Sequence, residues 1–471
     1  MRKTKIVSTI GPATQSEAML AKLMDAGMNV ARLNFSHGTQ EQHGTIIARI
    51  RKIAKEKNKP IAILQDLAGP KIRIRNFKNS SVVLESGQTF TLTIDDIDGD
   101  QHSVAVTYLK LPEEVKENDR ILLADGSIEL QVKKKDSRTV TCEVIVGGEL
   151  SSKKGLNLPG TSLSVAALTD KDKADLQFGL ENDVDYVAMS FVRRLEDILQ
   201  ITKIMDAAKK RIPIIAKIEK YEAIQNIDEI IKGVDGIMIA RGDLAVETAL
   251  ERVPLAQKML IRKCIQASKP VITATQMLKS MVDNPRPTRA EANDVANAVI
   301  DGTDAVMLSE ETTIGEFPVE AIQTMVKIIE ETESSKFIEY QKFKHGHTEV
   351  PSIAHAVSHA AFDMAKTLNA AAILTPTQSG STARMVSSNR PDHPIIALSP
   401  DEAVVRRLNL VWGVYPIMSD GFLTSEEMLE QAKDKALASG LVDFGDIVVI
   451  TAGVPIGIAG TTNLIKAEVL K

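Results

Sequence analysis

Short apolar runs alternate with amphipathic, helix-like stretches through most of the chain. The first run, residues 6–10, ends at Gly11-Pro12, and Thr14-Gln15-Ser16-Glu17 then predicts a capping box that opens a helix. Seven further runs share this pattern, at residues 29–35, 61–67, 185–191, 212–219, 236–241, 270–275 and 305–309. Eight strands separated by helices predict a closed (β/α)₈ barrel of the TIM type. A doubly wound open sheet is the alternative, but no glycine-rich dinucleotide turn follows the first run.

A different pattern of apolar and polar residues interrupts this alternation after the third run. Val, Thr and Ile alternate with polar residues at 81–94 and 139–146, and Asp125-Gly126 and Gly147-Gly148 supply turn signals. This pattern predicts a small all-β module, which we expect to be a small β-barrel. Because an insertion after a barrel strand lies on the face that carries active sites, we expect this module to act as a lid.

The remaining residues predict a third domain. Charged, weakly apolar sequence at 334–347 is typical of a linker; beyond it we predict a helix near 353–368 and strands near 371–374, 395–398 and 447–451. The expected domains are a barrel of residues 1–70 and 167–337, a β-rich lid of residues 71–166 and a C-terminal α/β domain of residues 338–471.

Composition and charge narrow the class of protein. A length of 471 residues suits about two to four domains. A net charge of −5 argues against a general nucleic-acid binder. Cys142 and Cys264 are too few for a disulfide framework or a zinc site, and the sequence shows no signal-peptide core or bilayer-spanning run. We therefore expect a cytoplasmic protein without nucleic-acid or membrane partners.

Two neighbouring runs end in acidic residues beside a lysine. Lys217 and Glu219 alternate onto one face at the end of residues 212–219, and Asp243 follows residues 236–241. Two carboxylates from adjacent parallel strands could hold a hard divalent cation, and the lysine could neutralise a substrate anion. A Lys-x-Glu pair is more often an ordinary strand-edge pair, so this hypothesis depends on the other strand ends.

Charged or hydroxyl residues also end most of the other runs. They are Arg32, Asn34 and Ser36 on the second run, Asp66 on the third with Lys71 and Arg73 beyond it, Thr275 on the seventh, and Ser309 with Glu311 on the eighth. Separately, these could be a solvated strand face or a capping hydroxyl. Together they predict one site for a small, multiply charged anion bound through metal.

The chain resembles the pyruvate kinase family over nearly its whole length. The matching stretches are TIGPA at 9–13, NVARLNFSHG at 29–38, KKGLNLPG at 153–160, IIAKIEKYEAI at 214–224, ARGDL at 240–244, TATQML at 273–278 and residues 294–309. This resemblance implies a barrel, a mobile β lid, a C-terminal α/β domain and a homotetramer. It also implies phosphoryl transfer from phosphoenolpyruvate to ADP, the last step of glycolysis, followed by protonation of enolpyruvate.

Roles follow from the resemblance residue by residue. Glu219 and Asp243 would hold Mg²⁺ or Mn²⁺, and Lys217 would stabilise the transferring phosphoryl group. Arg32 and Arg73 would contact phosphates. The Arg241-Gly242-Asp243 backbone and Thr275 would position the substrate carboxylate, and Thr275 and Ser309 match a proton-delivery network. The positions that match nucleotide contacts are Thr9, Asn34, His37, Arg73 and Lys154.

The chain departs from potassium-dependent members of the family near the lid. Those members have Thr, Glu and Thr where this chain has Leu67, Lys71 and Ile74, whereas the side-chain ligands of the potassium ion are matched by Asn34, Ser36 and Asp66. We expect the Lys71 ammonium to bond to these ligands and activity not to require K⁺. The alternative is that Lys71 points to solvent.

Two smaller departures lie at the site. Ala245 stands where glycine is usual, which matters only if that backbone needs a positive φ. Glu310 stands where a small residue is usual and adds negative charge near an anion site.

A Ser/Thr/Gly loop in the C-terminal domain is a candidate effector site. It comprises Thr377, Gln378, Ser379, Gly380, Ser381 and Thr382, between a predicted strand and a helix. Alone, it reads as a solvated turn with a helix cap. The family places a phosphate-bearing effector here, either a sugar phosphate or a nucleotide, beside a flexible loop at 453–461.

Two other functions remain open from the sequence. A metal-dependent aldolase or lyase also stabilises an enolate on a barrel, but it would cleave a C–C bond without ADP. A non-catalytic homologue would bind a sugar phosphate without turnover under any metal.

Overall fold

The predicted barrel is present, and its first part precedes the lid. The computed structural model describes residues 1–161, 164–335, 352–455 and 460–471. In chain order the first elements are β1 (Lys5–Thr9), α1 (Glu17–Ala26), β2 (Val30–Asn34), α2 (Gln40–Glu56) and β3 (Ala62–Asp66).

The insertion after β3 forms the lid, which is built mainly from strands. Its elements are β4 (Ser81–Leu84), β5 (Thr89–Thr93), β6 (Ser103–Ala105), α3 (Leu111–Glu114), β7 (Arg120–Leu123), a 3₁₀ turn (Ala124–Gly126), β8 (Ile128–Lys135), β9 (Thr139–Val146), β10 (Gly148–Ser151) and β11 (Leu156–Asn157). One sheet has the order β11-β7-β8-β9-β5-β6, and β10 pairs with β4. Phe90, Leu130 and Val144 belong to a hydrophobic core of the lid's own.

Helices and strands alternate again after the lid and complete the barrel. These elements are α4 (Asp170–Glu181), β12 (Tyr186–Met189), α5 (Leu195–Ala207), β13 (Ile214–Ile218), α6 (Tyr221–Gln225), α7 (Ile227–Gly233), β14 (Gly236–Ala240), α8 (Arg241–Glu247), α9 (Val253–Gln266), β15 (Val271–Ala274), α10 (Arg289–Ile300), β16 (Ala305–Leu308), α11 (Glu310–Thr313) and α12 (Pro318–Ser334), with 3₁₀ turns at Leu250–Arg252 and Lys279–Val282.

The barrel strands are parallel and close in the order β1-β16-β15-β14-β13-β12-β3-β2. Side chains alternate between the two faces of each strand, so Val7, Ile215 and Met238 fill the interior while Ile214 and Ile237 pack towards the helices. The parallel arrangement brings the carboxyl ends of the strands to one face. The lid follows β3 on that same face.

The C-terminal domain is a second α/β unit. It contains α13 (Ile353–Leu368), β17 (Ala372–Pro376), α14 (Ser381–Ser387), β18 (Ile395–Ser399), α15 (Glu402–Leu408), β19 (Val414–Met418), α16 (Ser425–Ala438), β20 (Ile447–Gly453) and β21 (Thr462–Val469). The sheet order is β19-β18-β17-β20-β21, with β21 antiparallel to β20. This domain contacts the amino end of the barrel, where Gly413 N donates to Lys3 O at 2.9 Å.

The start of α1 differs from the prediction. Ser16, rather than Thr14, caps this helix, and its hydroxyl accepts from Met19 N. The Thr14 hydroxyl instead donates to Thr312 O at 2.7 Å, so it ties the first loop to α11. The predicted capping box is therefore wrong, because a tertiary contact takes the hydroxyl that the local pattern assigned to the helix.

Parts of two predicted segments lie outside the described residues. Most of the linker at 334–347 and the boundary at 337 and 338 fall there, as do residues 456–459 of the C-terminal loop. In the part of the chain that the structure describes, no helix combines the length and apolarity needed to traverse a bilayer.

Candidate active site

Three consecutive barrel strands place partners around the Lys217 ammonium group. Its Nζ lies 3.2 Å from Asp66 Oδ1 on β3 and 2.9 Å from Glu219 Oε1, just past β13. It also donates to Ser190 Oγ, just past β12, at 2.7 Å. The side chain of Lys217 is only 11% exposed. The structure thus brings together three residues predicted from strand ends and adds Ser190, which the sequence reasoning missed.

The charges of this cluster are mutually supporting. Burial alone lowers the pKa of Lys217, but the charges of Asp66 and Glu219 outweigh it and hold that pKa above its ordinary value. Burial likewise raises the pKa of Asp66, yet Lys217 and Arg32 bring it below the usual range. Arg32 Nε donates to Asp66 Oδ2 at 2.6 Å, and Arg32 Nη1 to Thr9 Oγ1 at 2.9 Å. The result is a buried, charged network with two cations.

Glu219 and Asp243 offer hard oxygen ligands near one another. Glu219 is 1% exposed, and its Oε2 accepts from Phe191 N at 2.7 Å. Burial raises the pKa of Glu219, and the nearby charge of Asp243 raises it further. A divalent cation would relieve that repulsion, so the donor set fits Mg²⁺ or Mn²⁺. The described residues contain no cluster of three or more metal-ligating side chains, so substrate, water or backbone would complete the coordination.

The turn after β15 is strained, and it contacts the start of α8 next to Asp243. Thr275 and Gln276 have φ values of 69° and 56°, which is unusual for a β-branched residue such as Thr275. Gly242 N donates to Thr275 Oγ1 at 2.8 Å. Arg241 supports the turn from the other side, because its Nη2 donates to Thr275 O and its Nη1 to Asp294, both at 2.7 Å. The Arg241 side chain therefore stabilises the Thr275 backbone, in the region expected to position the substrate carboxylate.

The structure accommodates the two departures noted at the site, Glu310 in α11 and Ala245 in α8. Glu310 forms an ion pair with Lys279, which compensates its charge. Ala245 lies within α8 and is not among the residues with positive φ, so it imposes no backbone strain. Ser309 N donates to Glu311 Oε2 at 2.7 Å, and Leu278 N to Glu311 Oε1 at 3.1 Å. Glu311 therefore joins the two loops that carry Thr275 and Ser309.

The predicted nucleotide residues divide into two groups. A cleft of about 580 Å³ between barrel and lid is lined by Ser36, His37, Arg73 and Lys153, among others. Arg73 Nη1 donates to Lys153 O at 3.1 Å. Lys154 is exposed beside this cleft. Two other predicted contacts are used internally, since the Thr9 hydroxyl donates to Leu308 O and Asn34 Oδ1 accepts from Ser36 N.

Lys71 has partners other than those expected. Its Nζ lies 3.2 Å from Asp243 Oδ1 and 3.6 Å from Asp125 Oδ1. It does not point to open solvent, and its ion pairs are with these two aspartates rather than with Asn34, Ser36 or Asp66. Leu67 is buried, and its carbonyl oxygen accepts a hydrogen bond from Ser190 Oγ at 2.8 Å. The ammonium group therefore connects the first residues of the lid to the candidate metal site.

Several polar side chains of the candidate effector loop already form hydrogen bonds within the C-terminal domain. Thr377 Oγ1 accepts from Gly380 N at 3.0 Å, and the buried Thr382 hydroxyl pairs with Thr462 at 2.7 Å. Ser379 Oγ donates to Ser381 Oγ at 3.2 Å. Gln378 and Ser379 are exposed. The exposed part of this loop is thus formed by Gln378, Ser379 and the partly exposed Ser381.

The fold and this site define a barrel enzyme that handles phosphoryl or enolate groups. The sequence profile of the pyruvate kinase barrel domain matches residues 1–322, and that of the pyruvate kinase alpha/beta domain matches residues 355–467. The chain belongs to the pyruvate kinase family and is a phosphotransferase.

Individual relatives agree over the full chain. A pyruvate kinase of Geobacillus stearothermophilus is 50% identical over 476 residues, and one of Staphylococcus epidermidis is 49% identical over 474. These alignments cover 100% of this chain and 80% and 81% of the relatives. A crystal structure of a Cryptosporidium parvum pyruvate kinase superposes with a TM-score of 0.93 at 36% identity, covering 100% of this chain and 96% of that one.

Proposed function

We propose that this chain transfers the phosphoryl group of phosphoenolpyruvate to ADP, giving ATP and pyruvate as the last step of glycolysis. The observation that carries the proposal is the Lys217 ammonium, held between Asp66, Glu219 and Ser190 beside the Glu219–Asp243 carboxylate pair. Phosphoryl transfer needs positioned cations more than nucleophiles, and this site supplies them.

Lys217 and Arg32 serve the phosphoryl group in this proposal. Lys217 stabilises the negative charge that spreads over the transferring group, because its charge is secured by two carboxylates. Arg32 is fixed by Asp66 and Thr9, so it offers a cation of defined position rather than a mobile one. Arg73 contacts phosphate from the lid side of the cleft.

Glu219 and Asp243 hold the divalent ion, Mg²⁺ or Mn²⁺. When bound, such an ion supplies Lewis-acid stabilisation to the enol oxygen and the phosphate. The substrate carboxylate is positioned by the Arg241-Gly242-Asp243 backbone and Thr275, whose turn is braced by Arg241. Thr275 and Ser309 take part in delivering the proton to enolpyruvate.

ADP binds in the cleft between barrel and lid. His37 and Arg73 line this cleft, and Lys154 lies at its edge. Thr9 and Asn34 contribute to the same nucleotide site from the barrel, Thr9 by orienting Arg32.

Regulation and assembly are proposed on family grounds. Activity does not require K⁺, because the chain shares Leu67 and Lys71 with the potassium-independent subset of the family, although Lys71 contacts Asp243 rather than the residues that match potassium ligands. A sugar phosphate or a nucleotide binds the loop of Thr377, Gln378, Ser379, Ser381 and Thr382, and the protein is a cytoplasmic homotetramer. Calorimetric titration with fructose bisphosphate, ribose phosphate and AMP tests the effector site, and sedimentation tests the tetramer.

A lactate-dehydrogenase-coupled assay with phosphoenolpyruvate, ADP and Mg²⁺ tests the proposed reaction. The expected result is pyruvate formation that requires ADP and a divalent ion. Metal-dependent C–C cleavage without ADP would instead indicate an aldolase or lyase. Saturable binding of a sugar phosphate without any turnover would indicate a non-catalytic homologue.

A further inference from the structure

We infer that Ser190 is a positioning residue for Lys217, an inference that rests on the proposed phosphoryl transfer. Ser190 is 2% exposed and follows β12, between the strands that carry Asp66 and Lys217. Its hydroxyl donates to Leu67 O at 2.8 Å, so its oxygen must act as the acceptor for Lys217 Nζ at 2.7 Å. The direction of both hydrogen bonds is thereby fixed.

Three contacts surround the ammonium group. It donates a hydrogen bond to Ser190 Oγ at 2.7 Å and forms ion pairs with Glu219 at 2.9 Å and with Asp66 at 3.2 Å. The two carboxylates secure the charge of Lys217. The neutral hydroxyl adds little charge stabilisation, but it fixes the third direction, so Lys217 has one position rather than several along its flexible stem. Without Ser190, Lys217 would keep its positive charge, but its ammonium group would no longer be held in one position.

The same hydroxyl connects Lys217 to the chain that enters the lid. Leu67 O, its acceptor, is two residues before Gly69, which has a φ of 68°. A Cβ atom at Gly69 would lie 2.7 Å from Ser190 Cβ, so the two backbones are in close contact. Movement of the chain segment at Leu67–Gly69 would therefore reach Lys217 through Ser190. Ser190 is not expected to touch the substrate.

The test compares Ser190→Ala and the volume-conserving Ser190→Cys in the full chain. Ser8→Ala is the matched control, because Ser8 is fully buried on β1 and its hydroxyl has no hydrogen-bond partner among the described residues. The measurements are kcat and KM for phosphoenolpyruvate, and the exchange of pyruvate methyl protons in D₂O followed by NMR. Proton exchange needs the enolate site but no phosphoryl transfer, so it separates positioning of Lys217 from general damage.

Both Ser190 variants should lose about 10- to 100-fold in kcat, as expected for a misplaced catalytic group, with KM within about threefold of the wild-type value. Pyruvate proton exchange and the Ser8→Ala variant should remain close to wild type. Wild-type kcat in either Ser190 variant, or an equal loss of proton exchange, would overturn the inference. A wild-type protein that forms no pyruvate from phosphoenolpyruvate and ADP would instead refute the proposed reaction itself.

Discussion

Replacing Lys217 with methionine removes a cation that contacts residues at three strand ends of the site. Its Nζ lies 3.2 Å from Asp66 and 2.9 Å from Glu219. A cation that meets the transferring phosphoryl group contributes about 10³- to 10⁵-fold to kcat. We therefore expect Lys217→Met to lower kcat by about that factor, or about 4 to 7 kcal/mol of transition-state stabilisation. KM for phosphoenolpyruvate should change much less.

Stability must be measured together with activity in this variant. Methionine leaves Glu219 without a cationic partner, and breaking a buried ion pair costs about 3 to 5 kcal/mol. Asp66 keeps its hydrogen bond from Arg32, which limits the damage. Lys5→Met is the control: Lys5 is a buried lysine on a barrel strand, but it donates to Val414 O at the opposite end of the barrel.

The coupled assay, with folding checked by circular dichroism, gives a clear outcome. Lys217→Met should be folded and almost inactive, while Lys5→Met should keep kcat close to wild type. A folded Lys217→Met protein that retains more than about a tenth of wild-type kcat would refute the role assigned to this ammonium group.

Residues around the site, the contact with the C-terminal domain and the choice of salt give four further expected outcomes. Asp243→Asn should weaken Mn²⁺ binding about tenfold or more in calorimetric titrations, because an amide lacks the ligand charge; unchanged affinity would exclude Asp243 as a ligand. Arg241→Ala should raise KM for phosphoenolpyruvate more than it lowers kcat, because Arg241 supports the Thr275 backbone; an unchanged KM would contradict this. Burial, with the charge of Arg2, lowers the pKa of Lys5 in the folded protein to about 7 from 10.5. Between about pH 7 and pH 10.5, Lys5 is therefore protonated in the unfolded chain and largely neutral in the folded protein. Because the unfolded chain binds more protons, the stability of the folded protein rises with pH in this range. The free energy of unfolding in urea should therefore increase for wild type relative to Lys5→Met between about pH 7 and about pH 9, and a constant difference would count against the lowered pKa of Lys5. Initial rates in sodium or Tris salts should match those in potassium salts, and strong stimulation by added K⁺ would defeat this expectation.

The barrel was predictable because the residue types at the ends of its strands differ from those within the strands. Most of the apolar runs end at glycine, charged or hydroxyl residues, and β13 (Ile214–Ile218) falls within the run predicted at 212–219. Two strands of the C-terminal sheet were missed, β19 (Val414–Met418) and β21 (Thr462–Val469). Both are edge strands, where Pro416 is tolerated and polar residues such as Lys466 weaken the apolar signal.

The site was predictable only as far as strand ends determine it. Lys217, Glu219 and Asp243 follow from the rule that active sites lie at the carboxyl ends of barrel strands. Ser190 obeys the same rule, but a lone serine carries no sequence signal for the lysine that it meets. The contact between Lys71 and Asp243 depends on how the lid sits over the barrel, which no local pattern encodes.

Tertiary contacts also set the strained turn at Thr275. A β-branched residue with a φ of 69° runs against intrinsic preference, so the sequence predicts an ordinary strand end there. The hydrogen bonds from Arg241 and Gly242 hold the turn in this conformation. Such a site can be recognised from its residues, but its geometry requires the folded chain.

The location of a bound divalent ion tests the assembled site most directly. Crystals grown with Mn²⁺ and measured at its absorption edge would show the ion by anomalous scattering. We expect one strong peak within about 2.0 to 2.3 Å of carboxylate oxygens from both Glu219 and Asp243, with the Lys217 ammonium on the substrate side. A peak bound elsewhere, or carboxylates too far apart to share one ion, would contradict the site described for this chain.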